Sequence, residues 1–244
     1  QGEKIAVGPD RVFVSVPNGL FWFKLSTGEI GKLSTVNGLN DIGISAIEYS
    51  PYQDLLAVGY ENGNIDLVFK NNVINLPYIV QKPMQGSKQI NNFYFTEDNL
   101  IYVSTGFGIV VVNIDKREIK DTYYIGTGGS DLWVNQVIFF NQRIYAATSE
   151  GLLSANSSDP LLIHYASWTL EQAIPGTGAS YSSLAVFGNK LVVVQSTGES
   201  LPDVIHYYDS FAWTQFSSQY NTIKNAWANS NRLAIASRDG ISLY

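Results

Sequence analysis

The stretch Leu55–Val68, LLAVGYENGNIDLV, contains two apolar segments joined by a tight turn that ends in Gly63. In the first segment Leu56 and Val58 are two residues apart, and the segment after the turn has the same spacing. A spacing of two places side chains on one face of a β-strand, and a glycine-containing turn between two such segments is typical of a hairpin. The stretch therefore predicts an antiparallel hairpin with one buried face.

The same pattern recurs along the chain. Its copies are Arg11–Leu25, Leu55–Val68, Leu100–Val112, Arg143–Ala155, Lys190–Tyr208 and Arg232–Tyr244. The turn glycines, to which we assign a structural role, are Gly19, Gly63, Gly108, Gly151, Gly198 and Gly240, with spacings of 44, 45, 43, 47 and 42 residues. A repeat of this period predicts one supersecondary unit copied six times.

Each hairpin has a further apolar strand ahead of it. This strand carries two apolar residues three positions apart, as in Ile44/Ile47, Ile90/Phe93, Val134/Val137, Tyr181/Leu184 and Ile223/Ala226. A fourth strand usually follows the hairpin, so each repeat predicts a four-stranded antiparallel meander, the blade of a β-propeller. A β-sandwich would show turns every 8–12 residues without a long period, and no helical periodicity supports a solenoid.

A small residue lies four positions before the turn glycine in five of the six repeats. These residues are Ser15, Gly59, Ser104, Ala147 and Ala236, and the exception is Val194. A small side chain beside an apolar one predicts a crowded face where neighbouring sheets approach closely.

The whole chain, residues 1–244, is expected to form a single all-β propeller domain of a longer, multidomain exported protein. The last repeat ends after its third strand at Tyr244. The sequence leaves open whether a closing strand or a seventh blade comes from outside this stretch.

Composition excludes several classes of partner. The formal net charge of −6 argues against nucleic acid and anionic membranes as partners, since both need clustered basic residues. The absence of cysteine excludes disulfides, thiol catalysis and cysteine-ligated zinc. No run approaches the roughly 20 apolar residues that a membrane span needs, so no membrane insertion is expected.

Catalytic patterns are also missing. The two histidines, His164 and His206, are not part of a metalloprotease motif, and the carboxylates do not cluster. The glycine-rich segments Gly126–Ser130 and Gly176–Ser180 lack the Gly-Lys-Ser/Thr ending of a phosphate loop. We therefore expect no catalytic residue, no metal and no cofactor, and predict that the protein is not an enzyme.

Binding is expected at one end of the blades. The hairpins between second and third strands should emerge there, together with the connections between repeats. Rigid aromatic rings mixed with polar side chains suit protein or sugar contacts. The candidate binding residues are Trp133, Tyr181, Ser196, Glu199 and Asp203, and the segment Ser196–Asp203 is the longest of these hairpins.

Two segments resemble known propeller repeats. Ile44–Leu67 resembles the repeat of periplasmic two-component regulator propellers. The longer Leu33–Leu67 is similar to the N-terminal propeller family of PorZ, an accessory component of the type IX secretion system of Bacteroidetes. The specific parts are Val36–Gly43, VNGLNDIG, and Tyr60–Leu67, YENGNIDL.

The resemblance implies an exported protein at the cell surface or in the periplasm, associated with the outer membrane. It also implies partners in the secretion and sortase machinery, and cell-surface polysaccharide is a further candidate partner. The function predicted on this basis is a non-enzymatic scaffold or recognition domain. The alternative is a glycan-sensing propeller of a hybrid two-component regulator. A propeller lyase or glycosidase is disfavoured because no paired catalytic groups are found.

Overall fold

The computed structural model describes residues 4–198, 201–229 and 231–244. The chain divides into two compact units, Gln1–Thr122 and Tyr123–Tyr244. In the described residues each unit is built from antiparallel sheets whose strands pair in chain order, without crossovers. We number these sheets blades 1 to 6 along the chain.

The first unit contains blades 1 to 3. Blade 1 consists of β1 (Ile5–Val7), β2 (Arg11–Val16), β3 (Gly19–Lys24) and β4 (Ile30–Leu33). Blade 2 consists of β5 (Ile44–Tyr49), β6 (Leu56–Tyr60), β7 (Ile65–Val68) and β8 (Val73–Leu76), followed by the single helical turn α1 (Tyr78–Gln81). Blade 3 consists of β9 (Ile90–Phe95), β10 (Leu100–Thr105), β11 (Gly108–Asn113) and β12 (Glu118–Tyr123), whose last residue is assigned to the second unit.

The second unit contains blades 4 to 6. Blade 4 consists of β13 (Val134–Phe140), β14 (Arg143–Thr148), β15 (Gly151–Asn156) and β16 (Thr169–Leu170), with 3-10 turns at Thr127–Gly129 and Tyr165–Ser167. Blade 5 consists of β17 (Ser180–Phe187), β18 (Lys190–Ser196), β19 (Asp203–Tyr208) and β20 (Trp213–Tyr220). Blade 6 has three strands in the described residues, β21 (Ile223–Ala228), β22 (Leu233–Ser237) and β23 (Gly240–Leu243).

A β-bulge in the first strand explains the apolar pairs spaced three residues apart. In blade 2 the pairing register with β6 passes from Ile44 directly to Ala46, so Ser45 is the extra residue. Because the bulge shifts the alternation by one position, Ile44 and Ile47 both turn into the core, with 6% and 7% of their surface exposed. The first strands of blades 3 to 6 have the same irregularity.

Successive blades pack face to face within each unit. In the first unit, Phe13 and Leu20 of blade 1 share a core with Ile47 and Val58 of blade 2. In the second unit, one core joins blades 4 and 5 and another joins blades 5 and 6. Antiparallel meanders stacked through apolar faces are the blades of a β-propeller, so the predicted all-β fold class is confirmed.

The small residue of the repeat lies at these contacts. A Cβ atom built on Gly59 would lie 2.4 Å from Cγ2 of Ile90 in blade 3. Ala147 has no exposed surface and packs in the core between blades 4 and 5. The expectation of a crowded interblade face is confirmed at both positions.

The turn glycines occupy two kinds of position. Gly19, Gly108, Gly151 and Gly240 begin the third strand of their blades with φ between 141° and 151°, and Gly63 and Gly198 lie in the loop with φ of 91° and 85°. At Gly19 a Cβ atom would also lie 2.3 Å from the carbonyl oxygen of Leu33 on β4. Backbone conformation and space thus both require glycine there.

Candidate binding surfaces

Trp133 and Tyr181, two of the predicted binding residues, are linked by hydrogen bonds in the second unit. Trp133 lies half-buried just before β13, and its Nε1 donates to Oδ1 of Asn135 at 2.8 Å. Nδ2 of Asn135 in turn donates to the carbonyl oxygen of Tyr181 on blade 5 at 2.7 Å. The chain of bonds fixes the loop of blade 4 against the first strand of blade 5.

Tyr181 itself is not part of an accessible surface. Its side chain has 0% exposure and packs with Ala147 and Leu184 between blades 4 and 5. Burial raises the pKa of its phenol to about 12. A ring without exposed surface supports the loops but does not contact a partner, and we therefore withdraw Tyr181 as a binding residue.

Asp203 also has a structural role instead of the expected contact role. Only 2% of its surface is exposed. One carboxylate oxygen accepts from the backbone N–H of Thr197 at 3.0 Å, and the other accepts from that of Ile223 at 2.6 Å. Asp203 therefore closes its own hairpin and ties it to the start of blade 6, so a partner does not reach its carboxylate.

The remaining predicted residues lie along the same hairpin. Ser196 is half-buried, ends β18 and pairs with Ser180 on β17. Glu199 lies outside the described residues. Trp133 and Ser196 are thus the predicted residues to which the structure gives exposed surface. Leu201 in the hairpin adds a 64% exposed side chain that the sequence analysis did not single out.

The two histidines have contrasting environments. His206 lies on β19 with 1% exposure, and its Nε2 is 2.9 Å from Oε1 of Gln195. Its Nδ1 has no hydrogen-bond partner among the residues that the structure describes. Burial lowers the pKa of His206. His164 is exposed, and its Nδ1 accepts from the backbone N–H of Ala166 at 3.2 Å. Both have local structural contacts.

The VNGLNDIG and YENGNIDL segments meet in a buried cluster of polar side chains. The carboxylate of Asp66, without exposed surface, accepts from the backbone and side chain of Asn40, both at 2.8 Å, and from Nδ2 of Asn75 at 2.9 Å. It also accepts from the hydroxyl of Tyr60 at 2.6 Å. Four donors around one carboxylate fix the connection between blades 1 and 2.

The first unit contains a groove that was not predicted from the sequence. It has a volume of about 1040 Å³ and is lined by Gly8–Arg11 of blade 1 and by Tyr49–Tyr52 and Phe69–Asn72 of blade 2. Residues of the adjoining strands, and Asn37 and Gly38 of the connection between the two blades, complete it. The three ranges are hairpins between first and second strands or between third and fourth strands. Because neighbouring strands run antiparallel, such hairpins lie at the other end of the blades from the predicted loops.

Aromatic rings and charged groups line the groove together. The guanidinium of Arg11 lies 4.7 Å from the ring centre of Trp22, and Phe13 stacks on Tyr49 at 6.0 Å. Lys24 and Asp10 form an ion pair at 4.0 Å. The sequence carried one signal of this site, the proline-containing turns at Pro9 and Pro51 in corresponding hairpins of neighbouring blades.

The described residues contain neither a metal-binding cluster nor a helix that could span a membrane. Within them, no three or more His, Asp or Glu side chains are grouped so that they could hold a metal ion. In the same part of the chain, no helix has the length and apolarity to cross a membrane.

The family model described as the N-terminal β-propeller domain of PorZ, of the type IX secretion system, matches residues 12–169. A comparison with curated proteins returned no match. The matched residues include the Leu33–Leu67 segment with its buried Asp66 cluster.

Solved structures show the same fold. PorZ of Porphyromonas gingivalis, described as an essential bacterial surface component of the type IX secretion system, superposes with a TM-score of 0.71 at 21% identity. The match covers 99% of this chain and 36% of that one, so the chain spans about a third of PorZ. The propeller domain of Cps50 (Swd1) from Myceliophteria thermophila gives a TM-score of 0.70 at 9% identity, over 98% of this chain and 82% of that one.

Proposed function

The chain belongs to the family of PorZ N-terminal β-propeller domains, and we propose that it serves type IX protein secretion as a non-enzymatic scaffold. In this role it holds partner proteins of the secretion and sortase machinery at the outer membrane of an exporting cell. The family match over residues 12–169 is the observation that carries the proposal.

The described side chains support binding over catalysis. His206 and Asp203 are buried, and their side chains hold strands and loops together. Exposed surface is instead found at Leu201 and Pro202 and along the groove in the first unit. Loops held by a rigid sheet framework are common sites of protein recognition.

Deleting the gene tests the secretion role. We expect type IX cargo to remain unprocessed in the periplasm of the deletion strain, and expression of the intact gene to restore export. Replacing the hairpin residues 197–202 by a short glycine linker should reduce the restoration if the hairpin docks a partner. Normal cargo export in the deletion strain would contradict the proposal and favour a glycan-sensing role.

A double substitution of the histidines distinguishes a scaffold function from a catalytic one. A complementing copy with His164→Gln and His206→Gln should restore export as well as the intact gene does, provided that thermal melting shows the purified variant to be folded. Loss of export in a folded double variant would contradict the non-enzymatic assignment.

A further inference from the structure

We propose that the groove between blades 1 and 2 binds an extended acidic peptide segment of a partner protein, and that Arg11 receives a carboxylate of that segment. The proposal rests on the scaffold function and names the chemistry of one partner. It concerns the first unit only, and most of the residues involved lie on hairpins at the other end of the blades from the hairpins that the sequence favoured.

Charge in the groove is the first argument. Asp10 accepts hydrogen bonds from the backbone and hydroxyl of Ser26, both at 2.8 Å, and Asp54 accepts from the hydroxyl of Tyr49. Both groove carboxylates are therefore engaged. Within the described residues, no carboxylate oxygen lies within 4.0 Å of the guanidinium of Arg11, which is half-buried. The attraction between Arg11 and the carboxylate of Asp10 acts over a longer distance, so an incoming carboxylate would pair with the guanidinium directly.

The orientation of Arg11 suits a carboxylate. A guanidinium that lies on the face of Trp22 is held in place by cation–π attraction. In this position its N–H groups can form paired hydrogen bonds in the plane of the guanidinium. Two parallel N–H donors match the two oxygens of an Asp or Glu side chain. Lys70, which is exposed at the same groove, offers a second positive charge.

The floor of the groove suits the apolar side chains of such a segment. Phe13, Tyr49, Leu56 and Val68 line it beside Arg11. Its volume of about 1040 Å³ exceeds the roughly 300–1,000 Å³ of pockets for single small ligands. An extended segment that carries both apolar and acidic side chains would match this combination of an apolar floor and a guanidinium.

A regularly charged polymer fits the groove less well. An acidic polysaccharide or a nucleic acid would place further negative charges beside Asp10 and Asp54 at the groove walls. Such contacts are repulsive because like charges would lie close together along the whole groove. A peptide can place one or two carboxylates at Arg11 and Lys70 and present neutral groups elsewhere.

Fluorescence anisotropy with the full chain tests the proposal. The probe is a labelled peptide, Ser-Leu-Asp-Phe-Asp-Leu-Ser-Gly, and its control carries Asn in place of both Asp residues. We expect the acidic peptide to bind at least about ten-fold more tightly, because a charge-assisted pair contributes about 1.5–3 kcal/mol. Raising the salt concentration should reduce the difference in affinity between the acidic and the neutral peptide.

Variants locate the site. Arg11→Gln should weaken binding of the acidic peptide by about ten-fold or more. Lys120→Gln, the same charge change at an exposed position of β12, should leave binding unchanged. Arg11→Glu should reverse the preference, so that a peptide with Lys in place of Asp binds better than the acidic one.

Three outcomes would overturn the assignment: equal affinity for the acidic and neutral peptides, unchanged affinity of folded Arg11→Gln, or tighter binding of hexagalacturonate than of peptide. If Arg11→Gln fails to fold, the comparison of the two peptides on the wild-type chain decides. This binding assay does not depend on secretion. A negative result here together with a cargo defect in the deletion strain would reject the groove and leave the scaffold function standing.

Discussion

The hydroxyl of Tyr60 donates a 2.6 Å hydrogen bond to Oδ2 of Asp66, and neither side chain has exposed surface. Burial and the adjacent carboxylate both raise the pKa of Tyr60, so the phenol remains a donor. We expect Tyr60→Phe to cost about 1–2 kcal/mol in the free energy of unfolding. Asp66→Asn should cost about 2–4 kcal/mol, because its amide turns a donor toward groups that are themselves donors.

Urea denaturation of the two variants measures these costs. Tyr52→Phe is the matched control, since Tyr52 is 51% exposed, and it should change stability by less than about 0.5 kcal/mol. Equal stability of Asp66→Asn and the wild type would show that the cluster does not fix the loop.

Enlarging the small interblade residue should overpack the core. Gly59→Leu pushes a side chain into Ile90 and Phe93, and Ala147→Leu does the same between blades 4 and 5. Each substitution should lower the free energy of unfolding by roughly 1–3 kcal/mol or more. Val36→Leu, at a 94% exposed position, is the control in the same thermal melts. Unchanged melting of the two core variants would mean that the blades separate more easily than the packing implies.

Glu48 gives stability a pH dependence. Burial on β5 raises the pKa of its carboxyl from 4.5 to about 7. Between these two pH values the folded state keeps a proton that the unfolded chain has released. The contribution of Glu48 to the free energy of unfolding is therefore complete below pH 4.5 and is lost as the pH rises through 7. Glu48→Gln should be more stable than the wild type above pH 7 by roughly 1–3 kcal/mol, with the difference shrinking toward pH 4.5. A constant difference across this range would contradict the assignment.

His206 should give stability a pH dependence opposite to that of Glu48. Burial lowers its pKa below the usual 6.5, because the imidazolium form is poorly solvated inside blade 5. As the pH falls below 6.5, His206 binds a proton in the unfolded chain but not in the folded state. The free energy of unfolding therefore decreases. His206→Gln should reduce this loss in melts between pH 7 and 5. An NMR titration in which the His206 ring titrates above 6.5 would disprove it.

Local sequence predicted the blades well because each blade is made of neighbouring strands. The glycine spacing identified the hairpins, and the small residues identified the interblade contacts. The spacing of three in Ile44/Ile47 was a further signal, since in a strand that begins in the core it requires a bulge of the kind found at Ser45.

The site was less predictable because burial and grooves arise from contacts between blades. The carboxylate of Asp203 is buried where it accepts a hydrogen bond from the backbone N–H of Ile223, which begins the next blade. Tyr181 is covered by residues of blade 4. The groove combines hairpins of blades 1 and 2, which are about 40 residues apart, and no single repeat contains it. The spacing of the repeats does not show which loops of neighbouring blades lie close together.

Strand pairing in chain order has a consequence for how the protein folds. Ladder partners such as Ile5 and Val14 are close along the chain, whereas contacts between blades join residues about 30 apart, as in Gly59 and Ile90. Folding rates rise as the sequence separation of contacts falls, because shorter loops lose less entropy on closing. Meanders should therefore form early and repeatedly along the chain. The slower step should be the docking of one formed sheet onto the next, with the bulky residues around Gly59 and Ala147 determining its barrier.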